Sequence, residues 1–167
     1  LPRTVAPFTY GLNLCLCTFT SDCVPVIFYN EANGLVGVIH SGWQGTVKEI
    51  ALKVFKHLIQ VEQCNPSDLH IQFGAALSQD KFEVDEDVYL QFQALGYADD
   101  FMYYNPQTNK YHIDNQQTVK KQCEIAGIPS EQITIDQTCT YISPDGFSHR
   151  EDNKSGRHLS YIMRKDR

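Results

Sequence analysis

The chain lacks any apolar run long enough to cross a bilayer, and it has no cluster of Lys or Arg interleaved with aromatic residues. The first absence argues against a helical membrane span. The second, with a net charge of −6, removes the electrostatic footprint of a general nucleic-acid binder. No two cysteines stand in Cys-x-x-Cys spacing and no two histidines in His-x-His spacing. The former absence leaves the cysteines scattered, and the latter removes the usual sequence mark of a multicopper oxidase. A glycine-rich nucleotide loop of either common type is missing as well. There is no internal repeat, low-complexity tract or linker, and a chain of 167 residues suits one domain with a single sizeable core. No secretory signal pattern is present, so the six scattered cysteines are expected to be reduced thiols in a cytoplasmic protein.

What the chain does have is a pair of punctuated apolar runs. Thr20-Ser21-Asp22-Cys23-Val24-Pro25-Val26 opens one, and Val38-Ile39-His40-Ser41-Gly42-Trp43-Gln44-Gly45-Thr46 closes the other. Leu12 to Phe19, Val24 to Tyr29 and Leu35 to Ile39 read as strands, and Asn30-Glu31-Ala32-Asn33-Gly34 carries hairpin-turn chemistry between the last two. Such a hairpin puts Cys23 just before one strand and His40 just after its partner, on the same edge. A thiol and an imidazole so placed can bind a metal or act as nucleophile and base.

Trp43 to Gln60 reads as one amphipathic helix, with Val47, Ile50, Ala51, Val54 and Leu58 on one face and Lys48, Glu49, Lys53 and Lys56 on the other. Its first backbone N–H groups could bind an oxyanion. Leu69 to Phe73 alternates as a strand, Asp85 to Leu95 reads as a second helix, and Gly96 to Lys110 as a loop. A third helix runs from Asp114, as N-cap, to Ala126, with Gly127 as C-cap and Pro129 beyond. Ile133 to Ile135 and Leu159 to Met163 supply late strands, giving a mixed, layered α+β domain. Cys15, Cys17, Cys64 and Cys123 are expected to be packing residues, His57 to lie on a helix surface and His70 on a strand. Trp43 is expected to anchor its helix or border a pocket.

Four ordered motifs then coincide: Ser21-Asp22-Cys23-Val24-Pro25-Val26, His40-Ser41-Gly42-Trp43-Gln44-Gly45, Cys139-Thr140-Tyr141, and Phe147-Ser148-His149-Arg150 with Gly156-Arg157. In this order the chain resembles the YfiH-like laccase-domain family over about Leu12 to Met163. The resemblance implies an α/β/β/α layered sandwich of mixed sheets and a single laccase domain over residues 1–167 that lacks its N-terminal part. It further implies a zinc-dependent purine nucleoside phosphorylase acting on adenosine, inosine or guanosine with phosphate, with adenosine deamination in some members. Cys23 and His40 match two members of the family's metal and catalytic set of one Cys and two His. The remaining His belongs to an upstream Val-His-Gly motif with no counterpart in these residues.

Arg150 and Arg157 are the candidate phosphate-binding cations, and a surface ion pair with Glu151 or Asp152 is the plainer reading of either. His149 or His112 could complete a three-ligand metal set. Asp22 and Glu83 are weaker candidates for proton transfer. Three departures from the family pattern stand out: Gln44 and Glu151 replace arginines, and Gly74 to Gln79 replaces a proline-containing turn. They leave open a Cys-His hydrolase or deamidase, a copper-dependent polyphenol oxidase and a degenerate non-catalytic member. The expected partners are small molecules, a purine nucleoside and phosphate, and not nucleic acid or membrane.

Overall fold

The computed structural model of the chain describes residues 5–166. Five strands build the main sheet: β1 (Phe8–Thr9), β3 (Val24–Asn30), β4 (Val36–Ser41), β5 (Leu69–Phe73) and β9 (Ile133–Ile135), in the order β1-β4-β3-β5-β9. Among the described residues of this sheet, β5 and β9 run parallel and the other neighbouring pairs antiparallel. The β3–β4 hairpin forms at the turn the sequence predicts. Asn30 Oδ1 accepts hydrogen bonds from the Ala32 and Asn33 amides, and Gly34 supplies the positive φ. The register places Phe28 opposite Gly37, whose missing Cβ is where the Phe28 ring sits.

One face of this sheet, through Val24, Val26, Phe28, Ile39, Leu69, Ile71 and Phe73, packs on two helices, α2 (Ile50–Gln60) and α4 (Asn115–Ala126). Ala51, Phe55 and Leu58 on α2 and Val119 and Cys123 on α4 complete that core. Asp114 caps α4 by accepting from the Gln117 amide, and Gly127 ends it at φ 109°, both as predicted. On the opposite face lies an antiparallel ribbon of β2 (Cys15–Thr20) and β10 (His158–Met163), in register from His158 with Thr20 to Met163 with Cys15. A second core joins α3 (Glu86–Gln93) to the sheet β6-β8-β7, formed by Glu83–Val84, Lys110–Ile113 and Met102–Asn105. Layered mixed sheets with helices are the expected class. No helix among the described residues is long and apolar enough to cross a membrane.

Three expectations are corrected. The predicted single helix over 43–60 is two: α1 (Trp43–Val47), then α2 after Glu49 in the left-handed region at φ 59°. The break is held from outside, because Gln122 Nε2 donates to the Thr46 carbonyl at 2.7 Å and Tyr97 Oη to Glu49 Oε1 at 3.0 Å. Amide groups at the start of a five-residue helix make no anion site on their own. Secondly, Gly96 to Lys110 is not a free loop, since it carries the 3₁₀ turn Asp99–Phe101 and strand β7. Thirdly, Cys64 and Cys123 are buried as expected, whereas Cys15 and Cys17 lie on the exposed outer face of the ribbon. Alternation does not reveal which face of a strand is covered. His57 on α2 and His70 on β5 lie on the predicted elements.

Candidate active site

The site forms where β3 begins and β4 ends, at the seam between the two cores. A cavity of about 230 Å³ is lined by Ser21, Asp22, Cys23, Trp43, Leu77, Phe82, Asn115, His149 and Arg150. Five segments distant in sequence contribute: the β2–β3 turn, the β4–α1 turn, the stretch leading into β6, the start of α4, and the loop before β10.

Cys23 is held by close backbone contact. A Cβ built on Gly42 would stand 2.9 Å from Cys23 Sγ, so the glycine of His40-Ser41-Gly42-Trp43 is what lets the two turns approach. Asp22 has φ 91°, a left-handed conformation that side chains rarely adopt, directly beside Cys23. Its carboxylate secures the late motifs. Oδ1 accepts from Thr140 Oγ1 at 2.7 Å and Oδ2 from the Arg150 amide at 2.8 Å. Asp22 thus ties Cys139-Thr140-Tyr141 and Phe147-Ser148-His149-Arg150 to the thiol. Ser21 Oγ adds a bond to the Phe147 carbonyl at 3.2 Å.

His40 stands opposite Pro25 in the β3–β4 register, and extending that register places Cys23 opposite Gly42, diagonally across from His40. The imidazole is half-buried behind the cavity, with Nδ1 3.4 Å from Thr18 Oγ1 of β2. Burial pushes its pKa down, opposed by a hydrogen bond with the Phe19 backbone. Burial pushes the Cys23 thiol up, the Asp22 charge adds to that, and the Arg157 charge opposes it. In the metal-free protein a neutral thiol and a neutral imidazole are therefore favoured over an ion pair.

The two arginines are placed differently. Arg150 lines the cavity, donates from Nη1 to the Glu83 carbonyl at 2.8 Å, and lies 5.9 Å from the Phe82 ring centroid. Arg157 is not among the lining residues and donates to the Ser155 and Gly156 carbonyls. Among the described residues neither pairs with Glu151 or Asp152; each guanidinium donates from Nη1 to backbone carbonyls. Of the two further histidines, His149 is exposed and lines the cavity with Cys23. His112 is buried in the second core's sheet, 3.2 Å from the Gln79 carbonyl through Nδ1 and stacked on Tyr103. Glu83 faces His112 at 3.5 Å and is not part of the lining.

As a metal site, this set fits in kind and falls short in number. A thiol and a neutral imidazole are suitable zinc donors. No group of three or more His, Cys, Asp or Glu side chains among the described residues is arranged to hold an ion. Sequence reasoning missed Asn115, Leu77 and Phe82 as lining residues. For Asn115 the sequence shows only a residue that follows the N-cap Asp114, which marks a helix start and not a cavity wall.

Residues 2–165 match the family described as multi-copper polyphenol oxidoreductase laccase. The chain is 34% identical over 168 residues to purine nucleoside phosphorylase YlmD of Bacillus subtilis, covering 99% of this chain and 60% of that protein. It is 37% identical over 152 residues to a purine nucleoside phosphorylase of Bacteroides thetaiotaomicron, covering 89% and 56%. A third relative, adenosine deaminase RL5 from an unknown prokaryotic organism, is 32% identical over 149 residues, covering 87% and 56%. Among solved structures, the hypothetical protein YfiH of Bacillus licheniformis superposes with a TM-score of 0.91 at 32% identity, over 97% of this chain and 62% of that one. The chain thus spans about 60% of the length of the curated relatives it matches.

Proposed function

Since the chain belongs to the multi-copper polyphenol oxidoreductase laccase family, whose relatives include proteins named purine nucleoside phosphorylase, we propose that its cavity binds a purine nucleoside for phosphorolysis. The observation that carries this reading is the composition of one cavity. Trp43 and Phe82 offer flat aromatic walls for a heteroaromatic base, Leu77 adds an apolar one, and Cys23, His149 and Arg150 form a polar end. In phosphorolysis a phosphate oxygen attacks the anomeric carbon, the glycosidic C–N bond breaks, and the base leaves with a proton. Arg150 is the cation that would hold phosphate against that carbon. Arg157, whose charge reaches Cys23, would contribute from behind the wall.

Zinc is the metal this reading favours, held by Cys23, His40 and a third donor, because thiolate and neutral imidazole are borderline ligands that suit it. A bound zinc would supply Lewis acidity to the site. Copper, which the family description names, is the alternative, and metal analysis of the purified protein separates the two. We also infer that the third donor belongs to further chain packing on the outer face of the β2–β10 ribbon. Phe19, Leu159 and Tyr161 are 59%, 51% and 62% exposed there. Exposed Cys15 and Cys17 favour a reducing, cytoplasmic setting.

Deamination of adenosine is a second reading, supported by the relative named adenosine deaminase. A Cys-His hydrolase is disfavoured by the opposite shifts of Cys23 and His40, which work against a thiolate–imidazolium pair. The test is mass-spectrometric product analysis with adenosine, inosine and guanosine, each with and without phosphate. Free base and ribose 1-phosphate appearing only with phosphate support phosphorolysis. Inosine formed from adenosine without phosphate supports deamination, and no change in any nucleoside contradicts both.

A further inference from the structure

Resting on the nucleoside reading, we infer that Asn115 is a specificity-determining residue that reads an N–H group of the purine base. Asn115 is the first residue of α4, lines the cavity and is 5% exposed. Its Nδ2 donates to the Ser41 carbonyl at 3.2 Å, which fixes the amide's orientation and turns Oδ1 away from that bond. Oδ1 is buried and has no hydrogen-bond partner.

A buried carbonyl oxygen without a donor weakens the fold. Holding α4 to the end of β4 needs only the Nδ2 half of the side chain, so the tether does not account for the acceptor. Of the other polar groups of the wall, Cys23 and His149 stand at its polar end and the rest are engaged with the protein. Both Asp22 oxygens accept from the protein, Ser21 Oγ donates to the Phe147 carbonyl, and Arg150 is bound to the Glu83 carbonyl. Asn115 therefore carries an unspent, buried acceptor at the wall of a cavity whose other lining residues include Trp43, Leu77 and Phe82. An acceptor beside apolar and aromatic walls selects a flat ligand that carries a donor on its ring edge. A purine with a ring N1–H or an exocyclic amine meets that description. A purine without either leaves the oxygen unpaired, and a site built to pair a polar group rejects a ligand that cannot.

The experiment is equilibrium dialysis, without phosphate, of inosine and of purine riboside against the full protein. The two share the bicycle and the sugar, and purine riboside lacks any N–H on its base. Wild type is expected to bind inosine at least about tenfold more tightly. In Asn115→Leu that preference is expected to vanish while affinity for purine riboside stays within about threefold, since only the acceptor has been removed. The ratio between the two ligands is the decisive readout, because loss of the Ser41 tether would weaken both together. The wild-type comparison needs no variant and stands even if Asn115→Leu fails to fold. Equal wild-type affinities, or a preference retained in Asn115→Leu, overturn the assignment. Binding of neither ligand by wild type overturns the nucleoside reading itself, and the assignment with it.

Discussion

At the scale of single residues, two small features set the chemistry of Cys23: the bare Cα of Gly42 and the left-handed backbone of Asp22. A methyl group on Gly42 would press on Sγ from 2.9 Å and displace the thiol. Gly42→Ala is therefore predicted to lower kcat/KM at least about tenfold, because catalytic geometry tolerates displacements well below 1 Å. Gly45→Ala, whose Cβ would make an ordinary contact 3.4 Å from Ile50, is the control and should leave activity near wild type. His40 gives a pH signature in the metal-free protein. Its pKa in the fold lies below the unfolded value of 6.5, so below that pH the unfolded chain takes up the proton more readily. Stability should fall as pH drops from about 6.5 through the folded pKa, and His40→Gln should flatten that part of a urea-midpoint profile. The Cys23 and His40 motifs were legible in the sequence because each stands at the end of an apolar run beside turn residues, which precede Cys23 and follow His40. Arg157 was legible as a cation but not as a residue behind the wall, since only the folded loop shows its donors turned to Ser155 and Gly156. Asn115 was not legible as a site residue, because an asparagine beside an N-cap looks like any helix start.

Among the elements, the β3–β4 hairpin bears most of the positioning. Phe28 fills the space over Gly37 and meets Phe55 of α2 edge-on at 5.2 Å. Gly37→Ala should cost about 1–3 kcal/mol by overpacking, measured by urea unfolding, and Phe28→Leu in the same chain should recover part of it. Hairpin, α4 with both caps, and the late strands were legible because turn and cap residues act locally. The division of the 43–60 helix was not, for it depends on Gln122 and Tyr97, two side chains supplied from remote segments. Strand β7 was hidden in a stretch rich in Asp, Tyr and Asn, and its pairing with β8 from Met102–Ile113 to Asn105–Lys110 is set by tertiary context.

For the whole molecule, the outer face of the ribbon is an exposed apolar surface. Neither β2 nor β10 carries an acidic or basic charge apart from what His158 can take up, and the outward residues Phe19, Leu159 and Tyr161 form an apolar strip. The 167-residue chain is predicted to bind a hydrophobic dye through this strip. Phe19→Lys with Tyr161→Lys should reduce the fluorescence enhancement severalfold without lowering the thermal midpoint, and an unchanged signal would locate the apolar surface elsewhere. Strand β2 of the ribbon runs directly into the turn that carries Cys23. The account's central claim is that the cavity around Cys23 is where a purine nucleoside is cleaved by phosphate. Its most direct test is the initial rate of ribose 1-phosphate formation from inosine and phosphate by wild type and by Cys23→Ala, compared at matched folded concentration. A phosphate-dependent rate that falls to background in Cys23→Ala is the predicted result; a wild-type rate retained in Cys23→Ala would contradict the claim.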